Sequence, residues 1–133
     1  MQQLKPIVAE LRSLGADLGR LGADLRTIAE RSSLARILTG MSKDSLVTAD
    51  ALEAACDEQD GGTVLRALVP TAEVDTLMSA ALLTVAWYDL FTVAGALDLS
   101  ERVRALSDRM EAVMWKLDAA GKELPAPAPA SLN

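Results

Sequence analysis

The chain carries few side chains suited to chemistry, because its 133 residues include no histidine and a single cysteine, Cys56. The lack of histidine excludes histidine-based catalytic triads and the commonest general base at neutral pH. Zinc sites usually combine cysteine with histidine, so we expect neither a metal nor another cofactor. The carboxylates of Asp57, Glu58 and Asp60 are expected to raise the pKa of the Cys56 thiol and lower its reactivity. These observations predict a protein that is not an enzyme.

Asp89 is the ionisable residue that most invites a functional interpretation. It lies in the apolar stretch 82–93, beside Trp87 and Tyr88, on a predicted helix without a basic residue. A buried carboxylate must pair with a cation or be protonated. We favour a structural pairing, and the alternative is a small-molecule pocket near Trp87, Tyr88 and Asp89. The arginines available for the structural pairing are Arg66, Arg102 and Arg104.

The aromatic residues divide between a predicted core and a possible contact surface. Trp87 and Phe91 share one helix face at i, i+4, which favours a place in the core. Trp115, next to Met114, falls opposite the apolar seam of the last predicted helix. A tryptophan in that position either packs on another part of the bundle or binds a partner, and the sequence leaves both interpretations open.

Residues 29–35, AERSSLA, resemble the first helix of the all-α chorismate mutases, in which arginines grip a dicarboxylate. The resemblance implies a mutase-like activity, with the substrate held by Arg12, Arg31, Lys43 and Glu53. It covers only a few residues, and the spacing from Arg12 to Arg31 departs from the family pattern. We keep it as the one exception to the expectation of a protein without catalytic activity.

The first segment has the clearest pattern, a Leu/Ile seam of four heptads with every a and d position filled. Such a seam marks a long helix whose apolar edge must be covered, by another helix of the same chain or by a second copy. We predict that the seam is the main self-association surface, with the helix either projecting as an arm or pairing as a coiled coil. The seam residues are Leu4, Ile7, Leu11, Leu14, Leu18, Leu21, Leu25 and Ile28.

Small residues accompany this seam. Gly15 and Gly22 fall at its e positions, and each costs roughly 1 kcal/mol against alanine inside a helix. The interpretation we favour is a close helix–helix contact along that edge, and the alternative is a kinked or merely tolerated helix.

The rest of the chain also predicts helices, because its apolar half is dominated by alanine and leucine. We expect helices over residues 4–31 (or to 39), 48–58, 63–69, 71–97 and 100–120. Residues 41–47 would connect them, and 125–133 would form a flexible tail. The predicted stops and caps are Gly40, Thr48, Gly61, Gly62, Pro70, Thr71, Ser100 and Gly121. The fold class is therefore all-α, a helical bundle forming one domain over residues 1–124.

The all-apolar helix 71–97 is expected at the centre of the bundle. The alternative is a membrane-associated helix through residues 77–97, which we disfavour because Asp89 is costly in a bilayer and no Lys or Arg lies nearby. Charge disfavours nucleic acid, since only the first helix is basic. Residues 1–43 carry a net charge of +3, whereas residues 44–99 carry −9.

The sequence thus predicts an adaptor, regulatory or structural protein that binds protein and forms a homodimer or larger oligomer. A single cysteine and the lack of a visible signal peptide indicate the cytoplasm.

Overall fold

The computed structural model describes residues 3–28, 33–58, 61–91 and 97–124, apart from the burial of Gly61 and the side chains of Asp89 and Phe91. These residues form four helices and no strand: α1 (Leu4–Ile28), α2 (Ser33–Asp57), α3 (Gly61–Phe91) and α4 (Leu97–Glu123). The predicted all-α helical bundle is confirmed. The predicted tail, residues 125–133, lies outside this part of the chain.

Each helix runs antiparallel to its neighbours in an up-down-up-down arrangement. Arg12 near the start of α1 pairs with Asp50 near the end of α2, so these two helices run in opposite directions. Arg102 near the start of α4 donates to Asp24 near the end of α1 over 2.7 Å. The hydroxyl of Ser107 on α4 donates to the carbonyl of Ala80 on α3 over 3.1 Å. Helices α2 and α3 are also in contact, which closes the ring of four.

The core lies between the four helices, and the heptad seams of α1 and α4 supply most of its large side chains. Seven of the eight α1 seam residues, from Leu4 to Leu25, are at most 5% exposed. The α4 seam from Val103 to Ala120 is equally buried. Helix α1 does not project as an arm, because its seam is covered by α2 and α4 of the same chain.

Helix α2 corrects the prediction of a connector followed by a short helix. Residues 41–47 are helical, and the helix passes through both Gly40 and Thr48 without a break. The reason is burial, since small and apolar side chains recur on one face every three or four residues and local stop signals are weaker than continuous packing. That buried face consists of Ala35, Leu38, Met41, Ser45, Ala49, Leu52 and Ala55.

Helix α3 corrects two further predictions. It runs unbroken through Pro70, so the predicted stop there and the cap at Thr71 are wrong. The Thr71 hydroxyl instead donates back to the carbonyl of Ala67 over 3.1 Å. Burial of Val69 and Ala72 on either side of the proline keeps the helix continuous. Helix α3 is also not central, because it is one of four helices around a shared core.

Helix α4 begins and ends beyond its predicted limits. It starts at Leu97, so Ser100 is a buried residue inside the helix and not its cap. It continues past Gly121 to Glu123, where the backbone N–H of Leu124 donates to the carbonyl of Gly121 over 3.3 Å. Packing of Leu99 at one end and Ala120 at the other extends the helix past both local signals.

Candidate functional site

The outward side of α3 is the most unusual surface of the described chain. Seven large apolar side chains on it are 39–62% exposed, and we call them the α3 outer face. They are Val64, Val74, Leu77, Met78, Leu82, Val85 and Tyr88. Isolated exposed apolar residues are common on soluble proteins, whereas a contiguous set along one helix is typical of surfaces that contact another molecule.

Helix α3 has this surface because it is apolar on both sides. Its inner side fills the core at helical spacing, with residues such as Leu65, Val69 and Leu83 that are fully buried. Its outer side carries no charge from Thr76 to Tyr88. A helix with one apolar stripe buries that stripe in the core of the bundle, whereas α3 has a second apolar stripe that the bundle leaves exposed.

The second stripe follows a heptad pattern of its own. Val74, Met78, Ala81, Val85 and Tyr88 lie at spacings of four, three, four and three, and all five are exposed. Spacing of this kind is typical of a seam that packs against another helix. The bundle therefore presents outward on α3 the kind of pattern that it buries on α1 and α4.

The same helix is long and apolar enough, over Gly62–Tyr88, to cross a bilayer, and it is the one such helix in the described part of the chain. Only 28% of an 18-residue apolar window within this stretch is buried in the bundle, so a fully covered core helix does not account for its composition.

The α1 seam was predicted to be the main self-association surface, with a cover from the same chain or from a second copy, and the structure covers it within the chain. Leu11, Leu14 and Leu18 are completely buried. Ile28 at the end of the seam differs, with 71% of its surface exposed. The assignment of the seam from Leu4 to Leu25 to a contact between copies is corrected, because α2 and α4 already cover it.

The glycines beside the seam form the predicted close helix–helix contact, and the partner is α2. A Cβ atom at Gly22 would lie 3.1 Å from the Thr39 hydroxyl oxygen and 3.3 Å from the carbonyl oxygen of Ala35. The hydroxyl of Ser42 donates to the carbonyl of Gly15 across the same contact. The small residues therefore bring two backbones of one chain together.

Trp87 and Tyr88 point to different sides of α3. Trp87 is partly buried against the core, and the guanidinium carbon of Arg104 lies 5.5 Å from its ring centroid. Tyr88 belongs to the outer face, with its ring centroid 4.8 Å from that of Trp87. The side chain of Asp89, and hence its predicted pairing, lies outside the described residues. Arg104 and Tyr88 thus lie next to Trp87, at the place where the alternative prediction put a small-molecule pocket.

Trp115 lies on the outward side of α4 and is 60% exposed, whereas Met114 beside it is partly buried. The described residues of the bundle thus cover less than half of the Trp115 surface, and both interpretations that the sequence left open stay predictions. The sequence signal that identified Trp115, a large apolar residue opposite its own helix seam, would also have identified Val74, Met78 and Val85.

Ion pairs join α1 to its two neighbours. Arg12 is held by Asp50 and Glu53 of α2, and hydrogen bonds to these carboxylates raise the pKa of its guanidinium. Of the residues implied by the mutase resemblance, Arg12 and Glu53 thus bind each other, Lys43 is exposed, and Arg31 lies outside the described residues. Two carboxylates of the same chain are therefore already bound to Arg12.

A single arginine of α4 makes three contacts to α1. Arg109 donates to Glu10 over 3.0 Å, to Ser13 over 2.9 Å, and to Asp17. The hydrogen bond from Arg109 lowers the pKa of Asp17 below its ordinary value, and this exceeds the opposing effect of burial. Arg109 thus joins α4 to α1 within the chain, and we call these three contacts the Arg109 clamp.

A groove of about 390 Å³ lies between the start of α1 and the end of α2, and Cys56 is among its lining residues. Burial raises the pKa of the Cys56 thiol, and Asp57 adds to the effect. The thiol is therefore held in its protonated, less reactive form. Within the described residues, no group of three or more His, Cys, Asp or Glu side chains is placed to hold a metal ion.

No family model, curated protein or solved structure matches this chain.

Proposed function

We propose that this chain is a protein–protein interaction module that self-associates through the α3 outer face. The observation that carries the proposal is the exposure of large apolar residues on a regular heptad spacing, as at Met78 (59%), Val85 (58%) and Tyr88 (62%). Exposed apolar side chains of this size are stabilised when a partner removes them from water.

The size of the face suits a modest interface. From Val64 to Tyr88 the helix rises about 36 Å, and the outward part of its surface over that length covers about 500 Å². Two copies packed face to face would bury about 1,000 Å² in total, at the lower limit for a specific protein–protein interface. We therefore expect a reversible dimer with a dissociation constant in the micromolar range.

Charge favours a second copy as the occupant. The chain has a formal net charge of −6, so random contacts between copies are opposed by repulsion. The α3 outer face is uncharged from Thr76 to Tyr88, so two such faces meet without like charges at their centre. A membrane surface fits less well, because helices that lie on anionic lipid carry Lys or Arg on their polar side. This chain has no basic residue from Ala67 to Glu101.

Sedimentation velocity over a range of concentrations tests the proposal. The wild-type chain should shift from monomer to dimer as its concentration rises through the micromolar range. The Val85→Asp variant should dimerise at least tenfold more weakly, which corresponds to about 1.4 kcal/mol. Val47→Asp on α2 is the matched control, since Val47 is 65% exposed but lies outside the α3 outer face. Circular dichroism should show unchanged helix content in both variants.

Three outcomes would overturn the proposal. The first is a wild-type chain that remains monomeric at every concentration. The second is equal weakening of the dimer by Val85→Asp and Val47→Asp, which would place the interface elsewhere. The third is a monomer that floats with vesicles of phosphatidylcholine and phosphatidylglycerol and loses this binding with Val85→Asp, which would assign the face to a membrane surface.

A further inference from the structure

We infer that the two copies pair α3 against α3 in antiparallel orientation, with a twofold axis passing between Ser79 and Ala80. This inference rests on the proposed function and specifies its contacts. In this register Val74 faces Val85 of the second copy, Met78 faces Ala81, and Thr71 faces Tyr88. Thr71 is exposed three residues before Val74 and extends the second stripe by one position. Each of the six positions of the extended stripe then has a partner position within the described part of α3.

Side-chain volume selects this register. In antiparallel helix pairs, a positions of one helix pack against d positions of the other, and cores pack best when large residues face small ones. The long side chain of Met78 meets the methyl group of Ala81, and the Tyr88 ring meets the small Thr71. The two valines at 74 and 85 are matched in size. All three layers therefore have complementary volumes.

A parallel pair lacks this complementarity. Each residue would face its own copy, so Met78 would face Met78 and Ala81 would face Ala81. The methionine layer would be overfilled, and the adjacent alanine layer would leave a gap; both changes cost stability in packed interfaces.

Electrostatics points in the same direction. Asp75 is exposed beside the seam, next to Val74. In the antiparallel register the two Asp75 residues are nine positions apart along the axis, about 14 Å. In a parallel pair they would lie at the same level, where like charges destabilise the contact. The helix macrodipoles are also opposed in the antiparallel pair and aligned in the parallel one.

Disulfide trapping with single-cysteine variants tests the register. Cys56→Ser removes the native thiol, and Val74→Cys or Val85→Cys is added to that background. The two variants, one of them labelled with ¹⁵N, are mixed in a glutathione redox buffer, and intact mass identifies which chains have been joined. We expect the mixed disulfide to exceed either homodisulfide at least tenfold. In the antiparallel register, residue 74 lies about 16 Å along the axis from residue 74 of the second copy, whereas a disulfide spans a Cα–Cα distance of about 4.4–6.8 Å. Val47→Cys mixed with Val85→Cys is the control and should give no disulfide above background.

Disulfide trapping and sedimentation together distinguish a wrong register from a chain that does not self-associate. A Val74→Cys variant that joins efficiently to itself would show a parallel pair and overturn the antiparallel register, while self-association through α3 would stand. A dimer in sedimentation that gives no mixed disulfide would overturn the register in the same way. A chain that is monomeric by sedimentation would overturn both.

Discussion

Gly15 of α1 lies directly beneath Leu46 of α2. A Cβ atom at Gly15 would be 2.9 Å from the Cγ of Leu46, closer than Cβ atoms pack in proteins, and 3.2 Å from the backbone oxygen of Ser42, which is tighter than most such contacts. Gly40, in the middle of α2, has no atom within 4 Å of the corresponding position. The lack of a side chain at Gly15 therefore permits close packing of α1 on α2, whereas no neighbouring atom requires a glycine at position 40.

Alanine substitutions separate these reasons. Gly40→Ala should stabilise the fold by about 1 kcal/mol, because alanine favours the helix and meets no neighbour. Gly15→Ala should instead destabilise it by about 1–3 kcal/mol, because the backbone oxygen of Ser42 cannot yield as a side chain can. Urea denaturation measures both free energies of unfolding. Equal stabilisation by the two variants would show that α1 and α2 are less closely packed than described.

Aspartate within the α1 seam should unfold the protein. Leu18 and Leu21 are at most 1% exposed, and a carboxylate at either position would be buried without a partner. We expect Leu18→Asp with Leu21→Asp to lose most helical circular dichroism at 25 °C. Ile28→Asp, at the exposed end of the same seam, should change the free energy of unfolding by less than about 0.5 kcal/mol. A folded, monomeric double variant would instead return the seam to a contact between copies.

The Arg109 clamp should make stability depend on acid pH. Arg109 lowers the pKa of Asp17, so the ionised carboxylate stabilises the fold above its ordinary pKa. That contribution is lost as the pH falls through the lowered pKa of the folded state. Arg109→Met should cost about 1 kcal/mol at pH 7, a value kept small because both side chains are partly solvated.

Melting temperatures from pH 7 down to pH 2.5 measure this effect. The gap between wild type and Arg109→Met should narrow below the ordinary carboxyl pKa of about 3.9. Arg36→Met, which alters an exposed arginine of α2, is the control and should melt like the wild type throughout. A gap that stays constant down to pH 2.5 would show that Arg109 acts through packing alone.

Glu73 should make stability depend on pH in the opposite direction from Asp17. Burial raises the pKa of this carboxyl, and the nearby Asp118 adds to the rise while Lys122 opposes it. A raised pKa means that the fold is favoured with the carboxyl protonated, so stability is lost as the pH rises through the folded-state pKa. Glu73→Gln should therefore raise the free energy of unfolding at pH 7 by about 0.5 kcal/mol.

Free energies of unfolding measured at pH 3 and pH 7 test this prediction. At pH 3 the wild type and Glu73→Gln should be equally stable, because glutamine resembles the protonated acid. The exposed Glu111→Gln should have no effect at either pH. A destabilising Glu73→Gln at pH 7 would mean that the charged carboxylate is favoured in the fold.

The sequence predicted α1 and α4, whose seams are built mainly from large residues, nearly whole, whereas it divided α2 and α3 into shorter pieces. Leucine and valine at regular spacing identified α1 and α4. In α2 the buried face consists of three alanines, two leucines, one methionine and one serine, so the local signals at Gly40 and Thr48 dominated the prediction. Long-range packing decides whether such a signal ends a helix, and it is not encoded in a short window of residues.

The site was harder to predict for a different reason. Val69 and Val74 look alike in the sequence, yet one is fully buried and the other is 54% exposed. Both belong to regular helical stripes on α3, and nothing local distinguishes the stripe that faces the core. Only the positions of the other three helices determine which side is left uncovered.

Helix α3 therefore carries two separate sets of apolar positions, one buried in the core and one exposed on the outer face. Substitutions at Leu65, Val69 or Leu83 alter the free energy of folding, whereas substitutions at Val74, Met78 or Val85 leave the core intact. Natural variation or protein engineering can thus exchange the outward residues without rebuilding the core beneath them.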